Sequence, residues 1–114
     1  MKIICFDLDG TICTEERTFR KQYAKPHKQI VELINKLYDE GHHIIIFTGR
    51  NSLEWQATRD WLLENNVKYH QLIMNKPFFD YYICDRAICF DHPKGIEEIY
   101  RKITGAKREL KNEE

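Results

Sequence analysis

The sequence predicts an α/β protein built on a doubly wound, mainly parallel sheet, with helices on both faces in a three-layer α/β/α arrangement. Three observations carry that reading. Short continuous apolar runs, Ile3-Ile4-Cys5-Phe6 and Ile44-Ile45-Ile46-Phe47 among them, have the character of strands covered on both faces. Between the runs lie stretches whose apolar residues recur every three or four positions, as on an amphipathic helix. Polar residues gather where the apolar runs end, and open parallel sheets bind ligands beyond the carboxyl ends of their strands.

The first strand leads from Ile3 into Asp7-Leu8-Asp9-Gly10-Thr11. Two carboxylates leaving a buried strand cost solvation energy unless a cation or a reaction uses them; an acidic turn capping a strand is the plain alternative. From Ile12 to Lys25 the chain is polar and without period, a loop or short flap over the strand end. A helix is predicted from Pro26 to about Glu40, with Ile30, Val31, Ile34, Leu37 and Tyr38 on one face and Gly41 as its stop. The second strand, His43–Phe47, ends in Thr48-Gly49-Arg50-Asn51. Asn51 or Ser52 caps a helix running to about Asn65, with Leu53, Ala57, Trp61 and Leu62 facing the core. A third strand over about Tyr69 to Ile73 leads to Asn75-Lys76-Pro77. The fourth, Tyr81–Cys84, ends in Asp85-Arg86; Ala87–Phe90 forms a short fifth. Pro93 opens a last helix with Ile96, Ile99, Tyr100 and Ile103 on one face.

With 114 residues the chain suffices for one core, predicted over 1–104, followed by a charged, frayed tail at 105–114. Eighteen basic and eighteen acidic residues cancel, which argues against a nucleic-acid or membrane-surface partner. No apolar run approaches the ~20 residues that cross a bilayer, and the start lacks a signal-peptide pattern; a cytoplasmic protein is expected. Cys5, Cys13, Cys84 and Cys89 form no Cys-x-x-Cys pair, so they are expected as buried or half-buried thiols rather than zinc ligands.

Taken together, Asp7, Asp9, Thr48, Lys76 and Asp85 supply two or three carboxylates, a cation and a hydroxyl beside a glycine. Hard oxygen ligands in that number suit Mg²⁺ with a substrate phosphate and water. Lys76 and the backbone N–H groups around Thr48-Gly49 would neutralise a phosphate, and the remaining acid is free to attack.

These residues resemble the haloacid dehalogenase (HAD) superfamily of phosphohydrolases, small capless type, with its Rossmann-like core. The hydrophobic strand with Asp7-Leu8-Asp9-Gly10-Thr11 matches the first motif, and Ile46-Phe47-Thr48-Gly49-Arg50 the second. Lys76 with Pro77 matches the third, and Tyr82-Ile83-Cys84-Asp85-Arg86 the fourth. The resemblance implies Asp7 as the nucleophile and a metal ligand, and Asp9 as general acid/base with its backbone carbonyl on Mg²⁺. It implies Thr48 as a hydrogen-bond donor to the phosphoryl oxygens, Lys76 as the counter-charge to Asp7 and phosphate, and Asp85 as the metal anchor. Relatives usually carry two consecutive acids where this chain has Cys84-Asp85. If the second acid is the ligand, Asp85 suffices; if the first, metal affinity falls, since a thiol suits Mg²⁺ poorly. Asp80 lies at the other end of that strand and is not counted.

Arg50, with Gly49, is read as a substrate contact, although pairing of Arg50 with a neighbouring acid is equally open; Arg86 is a weaker version of the same choice. Asn51 is read as a helix cap, His42 and His43 as solvated or paired, His92 as a surface residue, Trp61 as core and Trp55 as exposed. The flap of about fifteen residues and the later junction of about five are too short for a folded cap, so the active edge is expected open, to a bulky substrate or to one enclosed by a neighbouring subunit of a homo-oligomer. The resemblance is nearest to small bacterial-type members linked to surface-polysaccharide or sugar-phosphate metabolism, which points to a sugar or nucleotide phosphate ester. A catalytically weak binding or regulatory module, and a phosphotransferase using the same residues, are the alternatives.

Overall fold

The structure, a computed structural model, describes residues 1–90 and 95–105. The chain forms two compact units, Met1–Tyr81 and Tyr82–Glu114. In the first, strands β1 (Ile3–Asp7), β2 (His43–Phe47) and β3 (Gln71–Ile73) make a parallel sheet in the order β1-β2-β3. Helix α1 (Lys28–Asp39) connects β1 to β2, and α2 (Trp55–Glu64) connects β2 to β3. Parallel neighbours need such crossovers, and the predicted α/β class follows from them. No folded cap interrupts the described residues: the flap holds one 3-10 turn, Thr18–Tyr23, and Met74–Tyr81 holds no helix or strand. No described helix is long and apolar enough to cross a membrane.

Register sets Asp7 beside Phe47, and Phe47 beside Ile73, so all three strands end together. The core lies on one side of the sheet, where β2 turns Ile44 and Ile46 inward and α1 packs against it with Ile30, Val31, Leu33, Ile34 and Leu37. Both helices end in the same way. The N–H of Gly41 bonds Tyr38 O and that of His42 bonds Leu37 O; Asn66 and Val67 repeat this on Leu63 and Leu62. The left-handed residue this turn requires is Gly41 in one case and Asn66 in the other.

Several expectations are corrected. Strands read as buried on both faces instead alternate: Ile44 and Ile46 are buried, Ile45 and Phe47 half-buried, and Ile3 is 66% exposed. Apolar residues stand on both faces of β1 and β2, and within the first unit those on the face of Ile44 and Ile46 are the buried ones. The predicted strands at 81–84 and 87–90 are absent, and those residues are irregular and, Phe90 apart, exposed. A strand exists by pairing, so an apolar run that joins no ladder stays irregular. The α2 stripe starts late because Ser52–Glu54 is a 3-10 turn, which leaves Leu53 and Ala57 outside. Thr58, Trp61 and Leu62 are the inward residues. In the second unit α3 spans Ile96–Thr104, bounded by the left-handed Gly95 and Gly105. Pro93, His92 and the tail from 106 onward lie outside the described residues.

Candidate active site

The loop leaving β1 is built around one carbonyl. Leu8 O accepts the N–H groups of Thr11 (3.1 Å), Ile12 (2.8 Å) and Cys13 (3.2 Å). Leu8, Ile12 and Cys13 are fully buried and pin the turn from below. Gly10 stands at φ +89°, where a side chain would be strained. Asp7 and Asp9 are thereby fixed on either side of Leu8, the two acids that the sequence singles out.

Asp7 faces Lys76, whose Nζ donates to Oδ1 at 3.0 Å and lies 5.4 Å from the centre of the Phe47 ring. Lys76 is brought there by backbone pairing beyond the strand ends. Thr48 N–H donates to Ile73 O (2.9 Å), Lys76 N–H to Thr48 O (2.9 Å) and Asn75 N–H to Arg50 O (2.8 Å). The segment after β3 is thus strapped to the loop after β2, with Asn75 left-handed at φ 65° to make the turn. Gly49 sits in that loop, exposed, where an added Cβ would be 3.6 Å from Lys76 O.

Asp9 is held by Arg50. Nε donates to Oδ2 at 3.0 Å and Nη2 to Oδ1 at 2.7 Å, a two-point fork, while Nη1 donates to Thr58 Oγ1 at 3.0 Å. The side chains are 3% and 13% exposed. Burial by itself would lower the pKa of Arg50; the hydrogen bonds and charge of Asp9 outweigh it and leave it raised. Of the two readings open for Arg50, pairing with an acid is the one that the structure displays. Lys21, from the flap, adds a second cation 3.8 Å from Asp9 Oδ2. The Cys13 thiol lies 3.7 Å from Oδ1; burial first, then the charge of Asp9, pushes its pKa up to about 12, so it stays a neutral thiol.

Thr48 is fully buried, and its hydroxyl accepts the Arg50 N–H at 3.1 Å, which shapes the loop. Asn51 caps the following turn as expected: Oδ1 accepts from Leu53 N–H at 2.9 Å and Glu54 reaches back to Asn51 N–H. The flap closes on itself, with Thr14 N–H on Lys25 O (2.9 Å), Lys25 N–H on Thr14 Oγ1 (2.9 Å) and His27 N–H on Ile12 O (2.8 Å). Trp61 Nε1 donates to Ala24 O at 2.8 Å and ties this end to α2. Trp61 is core and Trp55 is exposed, with Arg59 4.8 Å from its ring centre. His43 Nε2 meets Gln71 Oε1 at 2.9 Å, and the His42 ring accepts the Lys2 N–H at 3.1 Å.

Asp85 belongs to the second unit, in an exposed bend, with Arg86 Nε 3.8 Å from Oδ1. Cys84, expected as a buried thiol, is exposed, as are Cys5 and Cys89; only Cys13 is buried. The described residues contain no cluster of three ligating side chains. The donors at Asp7 and Asp9 are nevertheless all oxygen, which fits Mg²⁺, an ion that commonly takes one or two carboxylates and fills its shell with phosphate and water. Two residues of the site carried no sequence signal of their own. Lys21 lies in a flap without period, and Thr58 reads as an ordinary stripe position of α2; its period from Trp61 and Leu62 was the available hint.

The model of the polynucleotide kinase PNKP phosphatase domain matches residues 1–80 of this chain. Among solved structures, a target protein from Vibrio cholerae superposes with a TM-score of 0.68 at 23% identity, covering 90% of this chain and 99% of its own. A chain of a Pnkp1/Rnl/Hen1 complex gives 0.60 at 19% identity over 74% of this chain and 30% of its own. A chain of the Pnkp1/Rnl/Hen1 RNA repair complex gives 0.60 at 16% identity over 93% and 32%. The present chain therefore spans about a third of the length of the latter two, and at these identities the likeness is one of fold. No curated protein matches the sequence.

Proposed function

We propose that this chain, which belongs to the polynucleotide kinase PNKP phosphatase-domain family within the HAD superfamily, hydrolyses a phosphate monoester with Mg²⁺ through an aspartyl-phosphate on Asp7. The observation that carries the reading is a pair of acids on one loop in two different settings. Asp7 meets a single lysine at 3.0 Å and keeps its second oxygen for the reaction, while Asp9 is clamped by Arg50.

In this reading Asp7 forms a bond to phosphorus as the bond to the leaving oxygen breaks, and Lys76 offsets the charge on both. Asp9 delivers the proton that the leaving oxygen needs. In the second half a water attacks the phospho-enzyme, Asp9 takes its proton, and the bond from phosphorus to Asp7 breaks to release phosphate. The fork takes one lone pair on each Asp9 oxygen and the Cys13 thiol faces Oδ1, so the position left for this work is on Oδ2, because a carboxylate has about four acceptor positions. Thr48 offers its hydroxyl proton, and the exposed Gly49 backbone leaves room for phosphoryl oxygens to approach. The Asp7 carboxylate and the Asp9 backbone carbonyl would hold Mg²⁺, with Asp85 as a third oxygen donor; when bound, the ion offsets charge on the phosphoryl group.

A sugar or nucleotide phosphate remains the substrate class we favour, given the balanced charge of the chain. A terminal phosphate on an oligonucleotide is the second reading, favoured by the family description. The test is phosphate release from a panel holding sugar phosphates, nucleotides and end-phosphorylated oligonucleotides, with and without Mg²⁺. Mg²⁺-dependent turnover that falls to background in Asp7→Asn, with an unchanged circular dichroism spectrum, is expected. Turnover that survives in Asp7→Asn refutes the mechanism. No turnover on any ester favours a binding module, and transfer of phosphate to competing alcohols favours a phosphotransferase.

A further inference from the structure

At the site two cations are matched by two acids, and a third cation is in excess. Lys76 meets Asp7 at 3.0 Å, and the Arg50 fork offsets the charge of Asp9. Lys21 then adds its ammonium 3.8 Å from Asp9 Oδ2, with its side chain 17% exposed. That distance is too long for a hydrogen bond, so Oδ2 keeps its open position. An ammonium has three donors. One goes to Glu16 O at 3.0 Å, one faces Asp9, and the third has no partner among the described residues.

The flap that delivers Lys21 is itself basic. Residues 17–25, Arg-Thr-Phe-Arg-Lys-Gln-Tyr-Ala-Lys, carry four cations and no carboxylate, in a chain whose basic and acidic residues cancel. Of the two acids just ahead, Glu16 accepts from Thr14 Oγ1 at 2.8 Å, and Glu15 Oε1 lies beside Gly10. Among the described residues Asp9 alone forms an ion pair with a cation of this stretch. Thr18–Tyr23 is a 3-10 turn, in which side chains three apart share a row. Arg20 and Tyr23 share one, and the guanidinium lies 4.7 Å from the centre of the ring. Stacking holds that exposed guanidinium flat and leaves its edge N–H groups to bind a carboxylate or phosphate at two points. Lys21 follows a third of a turn round, so the two cations are neighbours.

We propose that the flap reads the leaving group: Lys21, with Arg20 beside it, selects a phosphate monoester whose leaving group carries a second anionic group, a carboxylate or a further phosphate. The inference rests on the phosphatase reading above, which sets the leaving oxygen against Asp9 Oδ2 and hence beside Lys21. Lys76 serves the phosphoryl group at Asp7, and Lys21 serves what is attached to it. An uncharged leaving group covers a half-buried ammonium without meeting its third donor, whereas an anion satisfies it.

Two matched pairs of esters test this on the full chain, each pair differing in one carboxylate. They are phenyl phosphate against 4-carboxyphenyl phosphate, and glycerol 3-phosphate against 3-phosphoglycerate, which hold the carboxylate at different reaches. Binding is measured in Asp7→Asn with Mg²⁺, where no turnover is needed, and kcat/KM in the wild type. In at least one pair the carboxylate ester should bind about tenfold tighter, the effect of one charge-assisted hydrogen bond. It should lead by a similar factor in kcat/KM, through KM, and the lead should shrink as salt is raised. Lys21→Met should bring the ratio within the pair close to one, Lys21→Arg should restore part of it, and Arg20→Gln should reduce it. Equal binding within both pairs overturns the proposal, as does a preference that survives Lys21→Met. A wild type that turns over no ester fails the phosphatase reading instead, and the binding ratios still decide whether the flap takes the anion.

Discussion

Arg50 gives its guanidinium to three acceptors at once, both oxygens of Asp9 and the Thr58 hydroxyl. Removing it strands a carboxylate in a largely buried place, which costs about 3–5 kcal/mol when a buried pair loses one partner. Arg50→Ala should therefore unfold at clearly lower urea. Arg50→Lys keeps the charge but not the fork, and is expected to recover much of that stability. Its turnover should still fall by about 10²-fold with KM little changed, since misplacing a catalytic group by roughly 1 Å has that effect. A rise in KM with kcat unchanged would return Arg50 to the substrate. Asp7, Asp9 and Lys76 were legible in the sequence because strand ends in a parallel sheet converge, whatever the details of the loops. The partner of Arg50 was not, because the choice between substrate and acid depends on the path of the Thr48–Asn51 turn. Thr58 was hidden for another reason: in the stripe of a helix a threonine passes for a small core residue, and its hydroxyl matters only once Arg50 is known to reach it.

At the scale of the element, the flap carries more order than its sequence suggests. Its ends are paired through Thr14 and Lys25, its last carbonyl before Lys25 is held by Trp61, and its middle delivers Lys21 to Asp9. Trp61→Phe keeps an aromatic ring but gives up the second ring and the donor, leaving the Ala24 carbonyl buried and unmet at a cost of about 1–3 kcal/mol on top of the lost packing. The expected result is faster deuterium exchange at the Thr14 and Lys25 amides, with the amides of α1 unchanged; a uniform increase across both would mean that Trp61 supports the whole core and not the flap. Helix α1 was read almost to its ends, because five inward apolar residues at helical spacing leave little choice of phase. The start of α2 was not, because Asn51 and Glu54 cap a 3-10 turn ahead of the α-helix and the turn resets which side faces inward.

Across the whole molecule, the α/β class with a parallel sheet was legible, and the number of strands was not. Apolar runs report that residues will be buried; they do not say against what. Ile3-Ile4-Cys5-Phe6 and Tyr81-Tyr82-Ile83 carry the same signal, yet one is in a ladder and the other is irregular and exposed.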